Sequence, residues 1–317
     1  MKIVCMDGGV LNPGDVSWKS LENLADLYIH HSTSRNEFAD RAHNADVILV
    51  NKTLVLPPEI ASMNQCKLVG VLATGVNNLD LPALAKAGIK ACNVPAYAQD
   101  DIAQHTLALL MELTRNTSLH SKSIKSGDWE EKNEWCYWLK TPISLYGLTL
   151  GIIGFGGIGQ ITGRIGHSLG MKILAYSPRK KAAVNYPFEW ATPEEIFRQA
   201  DVISLHCPLV PETEKIINAD TIKSMKQGVI IINTARGGLV DEVAVAEGLK
   251  SGKLGAFGAD VLSTEPPSSD NPLLSAPNTL LTPHLAWATT RSRQNIIDIM
   301  AKNIHDFFAG TPQNIVN

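Results

Sequence analysis

The chain has 317 residues, 44% of them hydrophobic and 19% charged, with a formal net charge of −3. That length exceeds the roughly 250–300 residues at which single cores divide, so two domains are expected. The composition excludes a disordered or fibrous chain, and the slight acidity leaves no basic footprint for nucleic acid.

The first ten residues, MKIVCMDGGV, hold one lysine and a short apolar stretch ended by Asp7, too short for the apolar core of a signal peptide. No other run is long enough to span a bilayer, so the expected location is the cytoplasm. Strand candidates at 2–6, 26–30, 46–50, 67–72 and 89–94 alternate with helix candidates around 16–24, 34–43, 57–63 and 80–87. The alternation predicts a parallel sheet covered on both faces. Such sheets bind ligands beyond the carboxyl ends of their strands, and the turn LATGVNNLD (72–80) follows a strand in that way. Its N–H groups at Thr74, Gly75 and Val76 could hold a small anion; a plain Gly/Asn turn would read the same.

Residues 98–125 read as one long helix, with Ile102, Leu107, Leu109, Leu110 and Leu113 apolar and no Gly or Pro before Gly127. Between 128 and 145, Trp129, Trp135, Tyr137 and Trp138 crowd together outside any clean period. That points to a covered surface, usually covered by a partner subunit, with packing inside the chain as the alternative.

The apolar run Leu148, Leu150, Ile152, Ile153 meets Gly154, Gly156 and Gly159; Ile158, Ile161, Ile165 and Leu169 then recur at helical spacing up to Gly170, where a second apolar run begins. This reads strand, tight turn, helix, strand, the pattern of a dinucleotide site. Gly154 permits the turn, Gly156 admits a pyrophosphate, and Gly159 brings helix and strand together. The phosphates then face free N–H groups at the positive end of the helix dipole.

Further strands are expected at 201–207, 228–235, 255–261 and 278–282, each followed by a polar or proline-bearing loop. Six strands in two halves predict a dinucleotide domain over 98–287. Residues 290–310 form an amphipathic helix closed by Gly310 and Pro312. Its apolar face (Ile296, Ile297, Met300, Ile304, Phe307, Phe308) needs a surface, which the first domain would supply. The expected fold is α/β, with two doubly wound parallel-sheet domains, 1–97 plus 288–317 and 98–287. Five scattered cysteines, never arranged as CxxC, are expected to be reduced thiols, with no disulfide framework and no metal site.

Arg236, Glu265 and His284 stand on separate loops after strand ends. Arginine matches a carboxylate bidentately. Histidine can give a proton to an alkoxide and take it back, and a carboxylate on its other nitrogen would fix the tautomer. Together they suit reduction of a 2-keto acid by hydride transfer. Singly, each also reads as a solvated histidine, a surface ion pair or a loop glutamate before prolines.

The ordered motifs LATGVNNLD (72–80), NVPAYAQDDIAQHTLALLMELT (93–114), TLGIIGFGGIGQ (149–160), LHCPLVPET (205–213), NTARGGLVDE (233–242), DVLSTEPP (260–267) and LTPHLAWAT (281–289) run nearly the whole length. By them the chain resembles the D-isomer-specific 2-hydroxyacid dehydrogenases, most of all the glycerate dehydrogenase and hydroxypyruvate reductase group. The resemblance implies a Rossmann domain binding NAD(P)H and a discontinuous flavodoxin-like substrate domain closed by the C-terminal helix. It implies that Arg236 binds substrate carboxylate, that His284 is the acid/base and that Glu265 orients it. Thr74, Gly75 and Val76 would cradle the carboxylate. Thr106, Gly154, Gly156, Gly157, Ile158, Gly159, Ser177, Arg179, Lys180, Cys207, Pro208, Thr213, Thr234, Ala235, Arg236, Asp260 and His284 would line the cofactor. The family's dimers imply a homodimer through the aromatic segment, with Trp138 reaching toward the partner's active site.

One position departs from the pattern. NAD-dependent members usually place an acidic residue where this chain has Ser177, followed by Pro178, Arg179, Lys180 and Lys181. Without that carboxylate nothing repels a 2′-phosphate, and Arg179 or Lys180 could pair with it, so the expected lean is toward NADPH. The alternatives to a hydroxypyruvate or glyoxylate reductase are a dehydrogenase for 3-phosphoglycerate or a bulkier 2-keto acid, or a cofactor-sensing, corepressor-like protein.

Overall fold

The computed structural model describes Met1–Asn317 and divides into two compact units, Met1–Ala98 with Trp287–Asn317, and Gln99–Ala286. In the first unit β1 (Lys2–Cys5), β2 (Asp26–Ile29), β3 (Val47–Val50), β4 (Leu68–Val71) and β5 (Lys90–Cys92) alternate with α1 (Lys19–Glu22), α2 (Arg35–Ala42), α3 (Pro57–Ala61) and α4 (Leu81–Lys86). All strands are parallel, in the order β2-β1-β3-β4-β5. Central β3 reads VILV and is buried at every position, whereas edge strand β2 is largely exposed, as expected of a sheet covered on both faces.

The second unit opens with α5 (Gln99–Arg115), α6 (Thr117–Lys125) and α7 (Asp128–Lys132). It continues through β6 (Thr149–Ile153), α8 (Gly157–Ser168), β7 (Lys172–Tyr176), β8 (Glu189–Trp190), α9 (Pro193–Gln199), β9 (Val202–Leu205), α10 (Ala219–Ser224), β10 (Val229–Asn233), α11 (Glu242–Lys250), β11 (Leu254–Ala259) and β12 (Thr279–Leu281). The sheet runs β12-β11-β10-β9-β6-β7-β8 and is parallel throughout. It has seven strands where the sequence suggests six. The added β8 is a two-residue edge, too short to show a period.

One further expectation is corrected, and the packing of α8 adds a finding that periodicity alone does not give. The stretch 98–125 is two helices, because Asn116 takes the left-handed conformation (φ 51°), which asparagine tolerates better than most residues. Glu112 then caps the new start, accepting from Thr117 Oγ1 (2.5 Å) and Ser118 N–H (3.1 Å). In α8 the isoleucine stripe is not the sheet-facing side. Gly159, Thr162, Gly163 and Gly166 are buried, Ile158, Ile161 and Ile165 are half-buried, and Leu169 is exposed. The helix lies so close to the sheet that a Cβ at Gly166 would stand 2.7 Å from Leu150. Small residues set that approach and push the branched ones to the flanks.

Finally α12 (Thr290–Phe308) returns to the first unit. Thr289 caps it by accepting from Ser292 N–H. Ile296, Ile297, Met300 and Ile304 are buried against Ile3, Leu49 and Leu68. Phe308 is not part of that buried face; it stays exposed, edge-on to Phe307 and under the Lys67 ammonium.

Candidate active site

Gly154, at the end of β6, has φ 103°, and a side chain there would meet the backbone of His206 and Cys207 at 2.4 Å. A Cβ on Gly159 would lie 2.3 Å from the Gly154 carbonyl oxygen, whereas one on Gly156 would meet nothing within 4 Å. Two of the glycines therefore serve chain packing, and the third leaves an open approach to α8. No side chain caps that helix, whose first residues are Gly157 and Ile158. An uncapped N-terminus behind an open glycine fits a dinucleotide pyrophosphate. Ser177 follows the last residue of β7, half-buried, and Arg179 and Lys180 after it are exposed.

Of the other sheet-end residues, Cys207 lies against Gly154 of this turn. Cys207 is buried, which pushes its thiol up to about 11. Thr213 Oγ1 donates to the Pro208 carbonyl (2.7 Å) and accepts from Val210 N–H (2.9 Å), tying loop 208–213 into a compact turn. Thr106 and Thr234 are buried with their hydroxyl oxygens 2.8 Å apart, and Ala235 follows, half-buried.

Arg236, Glu265 and His284 converge in a cavity of about 190 Å³ that Leu209, Gly238 and Leu262 also line. Buried Asn233 builds the first loop, its amide donating to the Arg236 carbonyl (2.9 Å) and its oxygen accepting from Ala235 N–H (3.0 Å). Gly237 must be glycine, since a Cβ would stand 1.9 Å from the Leu262 backbone of the neighbouring loop. The Arg236 side chain projects outward, exposed, with Nη1 on the Ala235 carbonyl. Glu265 accepts from Leu262 N–H through Oε1 (3.1 Å) and sits 2.6 Å from His284 Nδ1 through Oε2. An ionised carboxylate only accepts, so Nδ1 carries a hydrogen, and Nε2 is the ring nitrogen not bonded to Glu265. A wider hollow of about 540 Å³ along α6 holds none of these groups.

Asp260 does not present its carboxylate to the surface. It is 1% exposed; Oδ1 accepts from Thr282 Oγ1 (2.6 Å) and Leu285 N–H (2.9 Å), and Oδ2 from Ala286 N–H (2.8 Å). Its carbonyl accepts from His284 N–H (2.8 Å), and His284 itself has φ 53°. Sequence reasoning missed this loop-holding role, and it missed Asn233. The signal for Asn233 is a single polar residue closing the buried strand VIIIN. Trp138 is 62% exposed and does not line the cavity of its own chain. In the first unit, the N–H groups of Thr74, Gly75 and Val76 meet no acceptor in the chain, while Thr74 Oγ1 and Asn93 Nδ2 pin the turn.

Residues 107–286 match the model of the D-isomer specific 2-hydroxyacid dehydrogenase, NAD binding domain. The whole chain is 43% identical to a hydroxypyruvate reductase of Blautia hydrogenotrophica, covering 100% of both. The chain belongs to the D-isomer-specific 2-hydroxyacid dehydrogenase family. It is 37% identical to a glycerate dehydrogenase of Methylorubrum extorquens over 88% of each chain. Its fold matches the solved D-lactate dehydrogenase of Escherichia coli with a TM-score of 0.84 at 28% identity, over 100% of both chains. This dehydrogenase is therefore an α/β enzyme with a nicotinamide cofactor. No helix in it is long and apolar enough to cross a membrane. Its five cysteines are free thiols, four of them buried and Cys136 exposed.

One buried group of the enzyme lies beside the turn without a catalytic role. His206 is buried, which drives its pKa down to about 4; Nε2 is 2.8 Å from Ser204 Oγ, and Nδ1 has no partner. The unfolded chain takes up this proton below about 6.5 and the folded chain only near 4, so stability is lost as pH falls through that window. His30, lowered by burial and then by Arg41, adds in the same sense. Chemical denaturation at pH 7 and pH 5 should show wild type losing about 2 kcal/mol through His206, and His206→Phe should lose correspondingly less. An equal loss in both would refute the assignment.

Proposed function

We propose that the enzyme reduces hydroxypyruvate or glyoxylate to D-glycerate or glycolate, with Arg236, Glu265 and His284 as the acting residues. The 2.6 Å pairing of His284 with Glu265, in one cavity with Arg236, carries the reading; full-length kinship with a hydroxypyruvate reductase selects the substrate. The Arg236 fork holds the carboxylate of the 2-keto acid and polarises the adjacent carbonyl. Within the first unit, the N–H groups of Thr74, Gly75 and Val76 are an anion-binding element of their own. When bound, the nicotinamide cofactor supplies the hydride that reduces the keto carbon. His284, oriented through Nδ1 by Glu265, gives its Nε2 proton to the oxygen that becomes the hydroxyl. Initial velocities with hydroxypyruvate, glyoxylate and pyruvate, each with NADH and NADPH, test this. Hydroxypyruvate should give the highest kcat/KM; no turnover with any pair would overturn the reading.

The cofactor's phosphates fit the open approach at Gly156, and Ser177 with Arg179 and Lys180 favours NADPH. Ser177→Asp should lower kcat/KM for NADPH by roughly tenfold or more, because like charges would then face each other, and should spare NADH. An unchanged NADPH preference would rule out the electrostatic argument. The enzyme acts as a cytoplasmic homodimer. Trp135 at 88% and Trp138 at 62% exposure, with Leu139, Ile143 and Tyr146 also exposed, make 135–146 a segment rich in exposed apolar side chains, of the kind a second copy covers. Sedimentation at the mass of one 34.3 kDa chain would refute the dimer.

A further inference from the structure

Strand register sets a row of polar residues across the sheet. Asn233 pairs with Leu205 and Ala259, and Ala259 with Leu281, so the residues that follow, His206, Thr234, Asp260 and Thr282, stand level at the ends of β9, β10, β11 and β12. Two neighbours on α5 meet that row. Thr106 reaches Thr234, and His105 Nε2 reaches Thr282 Oγ1 at 2.9 Å and Asp260 Oδ1 at 3.5 Å.

Hydrogen counting fixes the direction of these bonds. Thr282 has one hydroxyl hydrogen, and it goes to Asp260 Oδ1, which only accepts. The Thr282 oxygen must then accept from His105, so His105 carries hydrogen on Nε2. The short hydrogen-bonded path of donors runs from His105 through Thr282 to Asp260, the direct His105–Asp260 approach being longer at 3.5 Å. The same carboxylate gathers the N–H groups of Leu285 and Ala286, directly after His284. His284 holds φ 53°, a conformation that a residue with a side chain keeps only when its surroundings impose it.

We propose that His105 is a positioning residue for His284. From α5 it fixes the Thr282 hydroxyl and the Asp260 carboxylate, and these hold the loop that aims the imidazole. The proposal rests on the reading of His284 as the acid/base. Its test therefore includes a measurement independent of turnover: the rate at which diethyl pyrocarbonate modifies His284 in cofactor-free protein, read by peptide mass spectrometry.

His105→Leu and Thr282→Val should each lower kcat about tenfold, leave cofactor Kd within about twofold, and speed modification of His284 several-fold. His105→Gln, whose amide donates from about the same point, should recover most of kcat. The double variant His105→Leu/Thr282→Val should be no worse than Thr282→Val alone, since the path is already cut. Wild-type modification rates in both single variants, or additive losses in the double variant, would overturn the proposal. Should His284→Ala prove active, the acid/base reading fails while the modification rates still decide this one.

Discussion

His284→Ala should lower kcat for hydroxypyruvate reduction by about 10³-fold, within the range that a positioned general acid contributes. The loss is expected in kcat because the histidine's contribution grows as the carbonyl oxygen takes up charge, not as the keto acid binds. Asp260 grips the loop through the backbone of residues 284–286, and alanine keeps those N–H groups, so cofactor affinity should hold. Glu265→Gln should give a smaller loss, since the amide oxygen can still accept from Nδ1–H and orient the ring, though without the charge that strengthens that bond. The pH profile gives an independent reading. Reduction consumes the His284 proton, so kcat/KM for reduction should fall on the alkaline side as that proton is lost, and kcat/KM for oxidation should rise. Steady-state rates in both directions across pH check the sign, and a His284→Ala enzyme with near-normal kcat would remove the histidine from the mechanism.

The sequence made the scaffold legible wherever a pattern was one-dimensional. Four-residue runs such as VILV at 47–50 can only be buried strands when helices separate them, and the glycine turn at 154–159 announces its helix. It misled where a third dimension decided. The isoleucines of α8 have perfect helical spacing, yet the sheet takes the glycine side because backbone proximity outranks side-chain hydrophobicity there. Asn116 breaks a helix that contains no Gly or Pro, through a left-handed turn and a carboxylate cap four residues earlier. At the site, Arg236, Glu265 and His284 could be named because their chemistry is distinctive. Asn233 and His105 could not, and Asp260 was named only as a residue lining the cofactor, because the work of all three is hydrogen bonding to backbone and hydroxyl groups 2 to 177 residues away, which spacing along the chain does not record.

Arg236→Ala should lower kcat/KM for the keto acid by about 100-fold, chiefly through KM. A hydrogen bond to a charged partner contributes about 1.5–3 kcal/mol, and a bidentate fork makes two; the lower end applies because Arg236 is exposed and its field is screened by solvent. The surrounding loop should survive the change, since Asn233 bonds only backbone atoms of residues 235 and 236 and Gly237 still crosses Leu262. Melting temperature and cofactor Kd should therefore stay near wild type while KM moves. Arg236→Lys separates charge from geometry. A lysine brings the same charge as a point, without the planar pair of donors, so it should recover only part of the affinity. If charge alone were at work, Lys and Arg enzymes would have equal KM, and the bidentate carboxylate contact would have to be given up. If neither variant changed KM, Arg236 would not hold the substrate at all.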